Sequence, residues 1–342
     1  MKRPLLIALI LIGAATAASA AAGLALQKPE NETEEGFSGV YDVTADGSIA
    51  VVSFTEGRPG IHLLDEEAAS SGPLAESGTD SRINSLSFSP DGRSIAFTVS
   101  PKDPAAGGLK STIRLLDLES GTERAVFQDK RLITELTFSP DDPDLIYFLR
   151  AGVFENYSPV AAQHPHDFDV HEYRLSENNT RPLTDLKAYD MQSLDVPAGS
   201  DSVYFSMFGD EEYESAEETF DATQQIYRIP EEGGTPEPAG DGYPRDVYGF
   251  AIIPDGGAIY QAVSKTSDEG IFEYELFRSD SGQGNGRQLT RMRTHAGNPV
   301  LSPDGKTLWF VEDRNFGKER PDFHLYRMPA DGGTPEALFP AE

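Results

Sequence analysis

From residue 38 onward, apolar and polar residues alternate in short runs that are separated by turn residues. In the segment SLSFSPDGRSIAFTVS, residues 85–100, apolar side chains occupy positions 86, 88, 95, 97 and 99, on both sides of a central turn. Alternation with a period of two is typical of half-buried β-strands, and no long stretch with the period of an amphipathic helix competes with it. The pattern therefore predicts an all-β chain that is built from hairpins.

The turn in this segment has a suitable residue at each position. Pro90 restricts φ at the first turn position, Asp91 suits the second, and Gly92 takes the left-handed conformation that ends the turn. Similar turns recur with their second marked residue at positions 47, 92, 142, 199, 256 and 305, at intervals of 45, 50, 57, 57 and 49 residues. This chemistry makes a hairpin without a ligand, and its recurrence indicates a structural repeat.

Each of these turns is followed by a strand-like segment and then by a second hairpin. Two of the second hairpins, IYRIPEEGGTPEP and LYRMPADGGTPEA, are nearly the same sequence and begin at residues 226 and 325. Six copies of a four-stranded unit at this period predict a six-bladed β-propeller of four-stranded antiparallel blades. The strands of each unit are named a to d in chain order, from the centre outward.

The repeat resembles that of TolB-like six-bladed β-propellers. The resemblance lies in the turn F-S-P-D-G-x-x-I-A-F and the following I-Y-x-x-D/P-x-x-G-G, and it covers residues 38 to 340. It implies the propeller fold but no single function, because similar propellers bind proteins, occur in secreted and periplasmic proteins, or precede peptidase domains. We expect no room for the α/β domain that precedes the propeller in TolB itself, so TolB's partners are not carried over.

The N-terminal residues follow a different pattern. Basic residues at positions 2 and 3 precede the apolar run LLIALILIG and a stretch of small residues, which predicts a signal peptide over residues 1–22. The alternative is an uncleaved membrane anchor to about residue 26, because the weakly polar stretch 4–26 is long enough to span a bilayer. Either reading predicts an extracytoplasmic protein that is secreted, periplasmic or tethered to the outer side of the membrane. Residues 27–37 are predicted to be a polar acidic linker, and residues 38–342 a single propeller domain.

Composition removes several classes of function. The chain has 57 Asp and Glu against 28 Lys and Arg, a net charge of −29, so the phosphate backbone of nucleic acid is a poor partner. The same acidity also suits solubility or a salty habitat. There are no cysteines, which excludes disulfides, thiol nucleophiles and thiolate metal sites.

In a propeller, the a–b and c–d turns lie on one face, and the b–c and d–a connections lie on the other. The a–b and c–d turns of this chain are short and Gly-rich, whereas the long connections fall in the second group. Function on loops above a rigid scaffold is the usual arrangement, so we expect the binding site on the b–c/d–a face. The longest b–c loops cover residues 150–169 and 209–225.

Two candidate metal sites follow from these loops. The first contains His164, His166, Asp167 and Asp169, whose imidazoles and carboxylates suit a divalent metal, although their spacing matches no strong motif. The second loop is rich in Asp and Glu, and its oxygens suit calcium, although no EF-hand pattern is present. The alternatives are solvated histidines in the first loop and a solvated acidic surface in the second. No cofactor is otherwise expected.

Basic and aromatic residues on the same face are the main binding candidates. Arginine forks suit carboxylates or phosphates, and the alternative is that they pair with the acidic residues nearby. Tyrosines in the long loops suit stacking on sugars or anchoring of a peptide. The candidate binding residues are Arg245, Arg291, Arg293, His295, Tyr157 and Tyr213, with Arg314, Lys318 and Arg320 in the same basic group.

The sequence thus predicts a monomeric, non-catalytic binding propeller whose ligand is a protein, a peptide or a cell-wall glycan. The membrane is expected as a partner only through an uncleaved N-terminal anchor. The alternative is a metal-dependent propeller enzyme of lyase or lactonase type, with its site at the mouth of the channel. A propeller peptidase is not expected, because the chain has no G-x-S-x-G nucleophile elbow.

Overall fold

Strands make up almost all of the regular structure in the computed structural model. It describes residues 33–340, apart from the ranges 65–71, 157–162, 210–222, 267–269 and 281–285 and the single positions 241, 244, 255 and 319. The predicted signal peptide or anchor therefore lies outside the described residues. Within the described part, no helix has the length and apolar character needed to cross a membrane. A single turn of helix, α1 (Pro104–Gly107), interrupts the strands and is capped by the Asp103 side chain.

Four sheets contain four antiparallel strands each, paired in chain order from a to d. The first sheet consists of β1 (Gly36–Val43), β2 (Ile49–Thr55), β3 (Arg58–Leu64) and β4 (Ala75–Glu76). The second consists of β5 (Ser81–Phe88), β6 (Ser94–Pro101), β7 (Ser111–Asp117) and β8 (Glu123–Asp129). The third consists of β9 (Leu132–Phe138), β10 (Leu145–Glu155), β11 (His164–Arg174) and β12 (Asn179–Pro182). The fourth consists of β13 (Met191–Asp195), β14 (Ser202–Phe208), β15 (Gln224–Pro230) and β16 (Glu237–Pro238).

The remaining strands form one eight-stranded sheet with two halves. Its first half consists of β17 (Phe250–Ile252), β18 (Ala258–Thr266), β19 (Phe272–Ser279) and β20 (Arg287–Gln288). Its second half consists of β21 (His295–Leu301), β22 (Thr307–Asp313), β23 (Phe323–Pro329) and β24 (Glu336–Phe339). Pairing is antiparallel within each half, and one parallel pair, Tyr274 with His295, joins the halves. The prediction of an all-β chain with four-stranded antiparallel sheets is confirmed.

The a–b turns have the conformation that their residues predict. Gly92 has φ +69° and its amide donates to the Ser89 carbonyl at 2.8 Å, while Asp91 accepts hydrogen bonds from the Ser89 hydroxyl and the Arg93 amide. Gly305 in the last a–b turn has φ +67°. A side chain at either glycine would strain this left-handed backbone, so the Asp-Gly pair fixes a tight hairpin at both places.

The hydrophobic core lies between successive sheets. Separate clusters of buried side chains join each set of four strands to the next, as with Ile83 of the second sheet and Ile61 of the first. One cluster joins the beginning of the chain to its end, because Tyr41 and Val51 of the first sheet pack with Trp309 of the last four strands. The described residues from 35 onward therefore form one compact unit in which the last strands meet the first.

The first and last strands meet by side-chain contacts, without a shared sheet. Strand β1 pairs with β2, the Tyr41 hydroxyl donates to the Asn298 carbonyl at 2.7 Å, and the Asn298 amide donates to the Gly39 carbonyl at 3.3 Å. Strand β1 begins at Gly36, within the segment 27–37 that the sequence assigns to a linker. That boundary is wrong by two residues, because Phe37 is buried against the ring of Phe339 at a centroid distance of 5.6 Å.

The a strands surround a central cavity of about 670 Å³. Its walls come from residues 39–45, 84–90, 134–140, 193–198, 250–252 and 298–303, which are the a strands and the starts of the a–b turns. The cavity therefore opens toward the end of the molecule that carries the a–b turns. The b–c and d–a connections lie at the opposite end, because successive strands in each sheet are antiparallel.

Candidate functional site

One d–a connection, on the face where the sequence predicts the binding site, carries two of the predicted arginines. We call residues 289–294, between β20 and β21, the Arg291 loop. Glu275 on β19 is buried and holds this loop: one carboxylate oxygen accepts from the Thr290 hydroxyl at 2.6 Å, and the other accepts from the Arg293 amide at 2.7 Å. The Thr290 hydroxyl in turn accepts from the Leu276 amide at 2.8 Å. Arg293 has φ +63°, an uncommon backbone conformation for a residue with a side chain.

A similar construction lies between β12 and β13, where the supported amide is one position earlier in the loop. We call residues 183–188 the Asp185 loop. There Asp169 accepts from the Thr184 hydroxyl at 2.8 Å and from the Leu186 amide at 2.6 Å, and Lys187 has φ +52°. Equivalent residues of the two loops are 106 positions apart in the sequence: Asp169 corresponds to Glu275, Thr184 to Thr290, and Lys187 to Arg293. Asp169, predicted as a metal ligand, therefore holds a loop in the manner of Glu275.

Beside the Arg291 loop lies a group of aromatic side chains, here called the aromatic cluster. The Tyr274 ring is nearly perpendicular to three others, at 5.3 Å from Tyr248, 6.3 Å from Phe272 and 5.4 Å from Phe316. His295 completes the cluster, stacked on Phe316 at 4.5 Å. The Tyr274 amide donates to the carbonyl of residue 294 at 2.8 Å, so the cluster is joined directly to the Arg291 loop.

Two properties of the cluster bear on binding. Phe272 is 48% exposed and its neighbour Ile271 is 37% exposed, so an apolar edge faces solvent. Burial lowers the pKa of His295, which is therefore neutral at pH 7, and its Nε2 lies 3.1 Å from the Gln261 amide nitrogen. The predicted binding residue His295 is thus part of the cluster and supplies no positive charge to it.

The equivalent place beside the Asp185 loop has different rings. His166 takes the position of Phe272, and it is buried, with its Nδ1 donating to the Tyr189 carbonyl at 2.8 Å. Tyr189 takes the position of His295, is 53% exposed and lies 4.5 Å from the His166 ring. His164 is exposed, and the centroid of its ring lies 5.8 Å from that of the His166 ring. Two loops with one backbone design therefore carry different surfaces.

The predicted basic group divides into residues with and without partners. Arg291 and Arg293 are exposed, and neither guanidinium makes a hydrogen bond or ion pair with any residue that the structure describes. Arg245 lies on another d–a connection, where it donates to the Val263 carbonyl at 2.5 Å and covers the Phe277 ring at 5.1 Å. Arg314 donates to the Tyr326 hydroxyl at 2.7 Å. Among the described residues, the guanidinium groups of Arg291 and Arg293 therefore have no partner.

The other predicted sites stay untested. Tyr157, Tyr213 and the acidic positions 210–222 lie outside the described residues. His164, His166, Asp167 and Asp169 lie along β11, and Asp167 has φ +57°. Within the described ranges, no group of three or more His, Asp or Glu side chains is arranged to hold a metal ion.

Three carboxylates around the central cavity were missed from the sequence. Asp42 accepts from the Phe88 amide at 2.7 Å, Glu135 accepts from the amides of residues 193 and 194 at 3.0 and 2.9 Å, and Asp195 accepts from the Ile252 amide at 2.7 Å. Each bond joins one a strand to the next. Burial raises the pKa of all three, to about 6 for Asp42 and for Asp195. The available signal was a carboxylate inside an otherwise apolar a strand, as in VYDV and SLDV.

With this geometry in hand, comparison with known proteins identifies the fold. No family model matches the chain, and no curated protein matches it. Among solved structures, TolB from Acinetobacter baumannii superposes with a TM-score of 0.56 at 18% identity, covering 80% of this chain and 58% of that one. This chain thus spans less than two thirds of that TolB.

Two further structures show how widely the fold is used. An oligogalacturonate lyase in complex with manganese has a TM-score of 0.56 at 16% identity, covering 89% of this chain and 77% of the lyase. A chain of a nidogen/laminin complex has a TM-score of 0.56 at 10% identity, covering 83% and 90%. The resemblance to TolB and other β-propeller proteins is therefore confirmed as a likeness of fold, and at these identities it extends to no activity.

Proposed function

We propose that this chain is an extracytoplasmic, non-catalytic binding protein with a six-bladed β-propeller. Two observations support six blades. The halves of the eight-stranded sheet are each complete sets of strands a to d, and a single parallel residue pair links them. The a strands of all six sets line one cavity, and core clusters join each set to the next and the last to the first.

The ligand in this proposal is a protein, a peptide or a glycan, and it binds the b–c/d–a face. The observation that carries the proposal is the aromatic cluster with its exposed Phe272, joined to a loop whose Arg291 and Arg293 guanidinium groups pair with no described residue. Aromatic side chains and arginines at one place are the composition of binding hot spots. In the a–b turns at the other end, the aspartate carboxylates accept hydrogen bonds from serine hydroxyls of the same turn.

An extracytoplasmic location is supported by the N-terminal pattern of basic, apolar and small residues. Mass spectrometry of the protein from its producing cells tests the location. A secreted or envelope-associated form that begins after residue 20 supports a signal peptide, and one that begins at Met1 supports the anchor. Recovery from the cytoplasm alone contradicts both.

The absence of cysteine allows a direct test of the binding face. A single cysteine is introduced at exposed Thr266, which pairs with Phe272 across β18 and β19, or at exposed Lys306 in an a–b turn as the matched control, and is labelled with a photo-crosslinker. We expect the full chain labelled at position 266 to form one defined adduct with envelope material, while the chain labelled at position 306 forms none. Equal adducts at both positions, or an adduct at 306 alone, contradict the proposed face.

A further inference from the structure

We propose that the Arg291 loop and the exposed edge of the aromatic cluster form a docking site for an acidic peptide segment that carries a large apolar side chain. The proposal rests on the function proposed above and names the class of ligand. It combines three features of one surface: two arginines that pair with no described residue, exposed apolar side chains and a rigid backbone.

Charge is the first argument. In a chain of net charge −29, several arginines pair with carboxylates: Arg58 pairs with Glu76 at 2.9 Å, and Arg181 pairs with Glu172 at 2.9 Å. Arg291 and Arg293 are only two residues apart, and neither guanidinium pairs with a described residue. Guanidinium groups bind carboxylates through paired hydrogen bonds, so two of them side by side suit an anionic ligand.

Exposed apolar surface is the second argument. Four large apolar side chains are exposed in the described part of the chain, and Ile271 and Phe272 are two of them, next to each other. The scaffold does not force this exposure, because the side chain at the position equivalent to Phe272, His166, is buried. An exposed pair of this kind beside the Arg291 loop gives an acidic ligand an apolar anchor point.

Rigidity is the third argument. Glu275, buried beneath the loop, fixes Thr290 and the backbone of Arg293 by two short hydrogen bonds. Arg293 is held in a left-handed conformation, as Lys187 is in the Asp185 loop, so the conformation belongs to the construction of the loop. A backbone ordered in advance reduces the entropy that a ligand must overcome.

The ring geometry favours a peptide over a sugar. Stacking on a sugar needs an open aromatic face, but Tyr274 is in edge-to-face contact with three rings, and His295 is stacked on Phe316. The exposed apolar surface consists of Phe272, which contacts the Tyr274 ring, and the aliphatic Ile271, and it suits Leu, Ile, Met or Phe. Nucleic acid is disfavoured because the field of the whole chain repels its backbone.

The test uses the full chain and a randomised library of 12-residue peptides displayed on phage. Peptides are selected on the wild-type chain and then counter-selected on a chain carrying R291D and R293D. We expect the retained peptides to be enriched in Asp and Glu next to a large apolar residue. Synthetic fluorescent copies should bind at least tenfold more weakly to the double variant and to F272S, and more weakly at 300 mM than at 50 mM NaCl.

Two controls keep the result interpretable. R291D alone places in this loop the residue that the Asp185 loop carries at the equivalent position, so a folded chain is expected, and urea unfolding verifies it. K306D reverses an exposed charge in an a–b turn and should leave peptide binding unchanged.

Three outcomes overturn the inference. Retained peptides without acidic residues, or with equal affinity for the double variant, show that the arginines do not select the ligand. Labelled polygalacturonate that binds the wild type through Phe272 while no peptide does refutes the peptide class but leaves the proposed binding face intact. Binding that is lost in K306D and kept in the Arg291 and Phe272 variants refutes both proposals.

Discussion

The Asp185 loop and the Arg291 loop share one backbone and differ in chemistry. Each has a carboxylate beneath it, a threonine hydroxyl that accepts from the strand below, and a cationic residue with positive φ. The chemistry differs at two positions in and beside the loops. Asp185 corresponds to Arg291, and the buried His166 corresponds to the exposed Phe272. The residues that build the loop are therefore the same in kind. Of the residues proposed to meet a ligand, Arg293 has a cationic counterpart in Lys187, whereas Arg291 and Phe272 have counterparts of different chemistry.

This comparison separates scaffold from site within a single chain. A position that agrees between the two loops is explained by the hydrogen bonds it makes. At the position of Arg291 the other loop folds with an aspartate, so the fold does not require an arginine there.

Removing a supporting carboxylate should destabilise both loops. Glu275→Ala leaves the Thr290 hydroxyl and the Arg293 amide without an acceptor, and we expect a loss of about 2–4 kcal/mol in the free energy of unfolding. Asp169→Ala should cost about 1–3 kcal/mol, because Asp169 is less deeply buried. Urea unfolding measures both. Glu275→Gln, which keeps an oxygen acceptor, should lose less than the alanine variant, and an equal loss would contradict the hydrogen-bond explanation.

Two of the carboxylates around the central cavity, Asp42 and Asp195, should make the stability of the protein fall as the pH rises from about 4 to 6. Burial raises the pKa of Asp42 and Asp195 from 3.8 to about 6, so between these values the folded chain holds more protons than the unfolded chain. Their contribution to the free energy of unfolding is therefore complete below about pH 4 and falls as the pH rises toward 6.

Thermal unfolding between pH 4 and pH 6 measures this effect. The turn residues Asp91 and Asp304 have lowered pKa values, so their opposite contribution changes below that window. Asp195→Asn keeps an acceptor for the Ile252 amide and should remove its share of the slope. A slope that is the same in wild type and Asp195→Asn shows that this carboxyl does not titrate in the window.

Exchanging the differing residues should alter binding far more than stability. Arg291→Asp should weaken the acidic peptide at least tenfold, about 1.4 kcal/mol, and change the free energy of unfolding by less than about 0.5 kcal/mol because the side chain is exposed. The reverse change, Asp185→Arg, should create no binding by itself, since His166 is buried where Phe272 is exposed. Fluorescence anisotropy with the selected peptide checks both, and tight binding by the Asp185→Arg loop would show that charge alone suffices.

The smallest effect is expected at the two residues with positive φ. Glycine in place of Lys187 or Arg293 removes the steric strain but increases the freedom of the unfolded chain, so stability should change by at most about 1 kcal/mol. The change should be similar at both positions because the loops share their backbone. A loss above this size at one position only would show that its side chain supports the fold, which urea unfolding would detect.

The all-β class, the four-stranded sheets and the tight turns could all be predicted from the sequence. These features depend on alternation over a few residues and on the turn chemistry of proline, aspartate and glycine, which act locally. The sequence also marked Arg291, Arg293 and His295 as residues of interest, through their position in a connection of the expected group. The repeats RPLTDLK and RQLTRMR were a signal for the paired loops that the alternation of strands does not contain.

Which of those residues lie together depends on the tertiary structure. It places Arg245 against Phe277, makes Asp169 a loop support, sets His295 among aromatic rings, and uses Asp42 and Asp195 to join neighbouring strands. Each of these contacts links residues from separate strands or connections, and the contact between Tyr41 and Asn298 links residues 257 positions apart. Alternation specifies which side of a strand a residue faces, whereas its neighbours there depend on how the sheets pack around the channel, and that is a property of the whole ring.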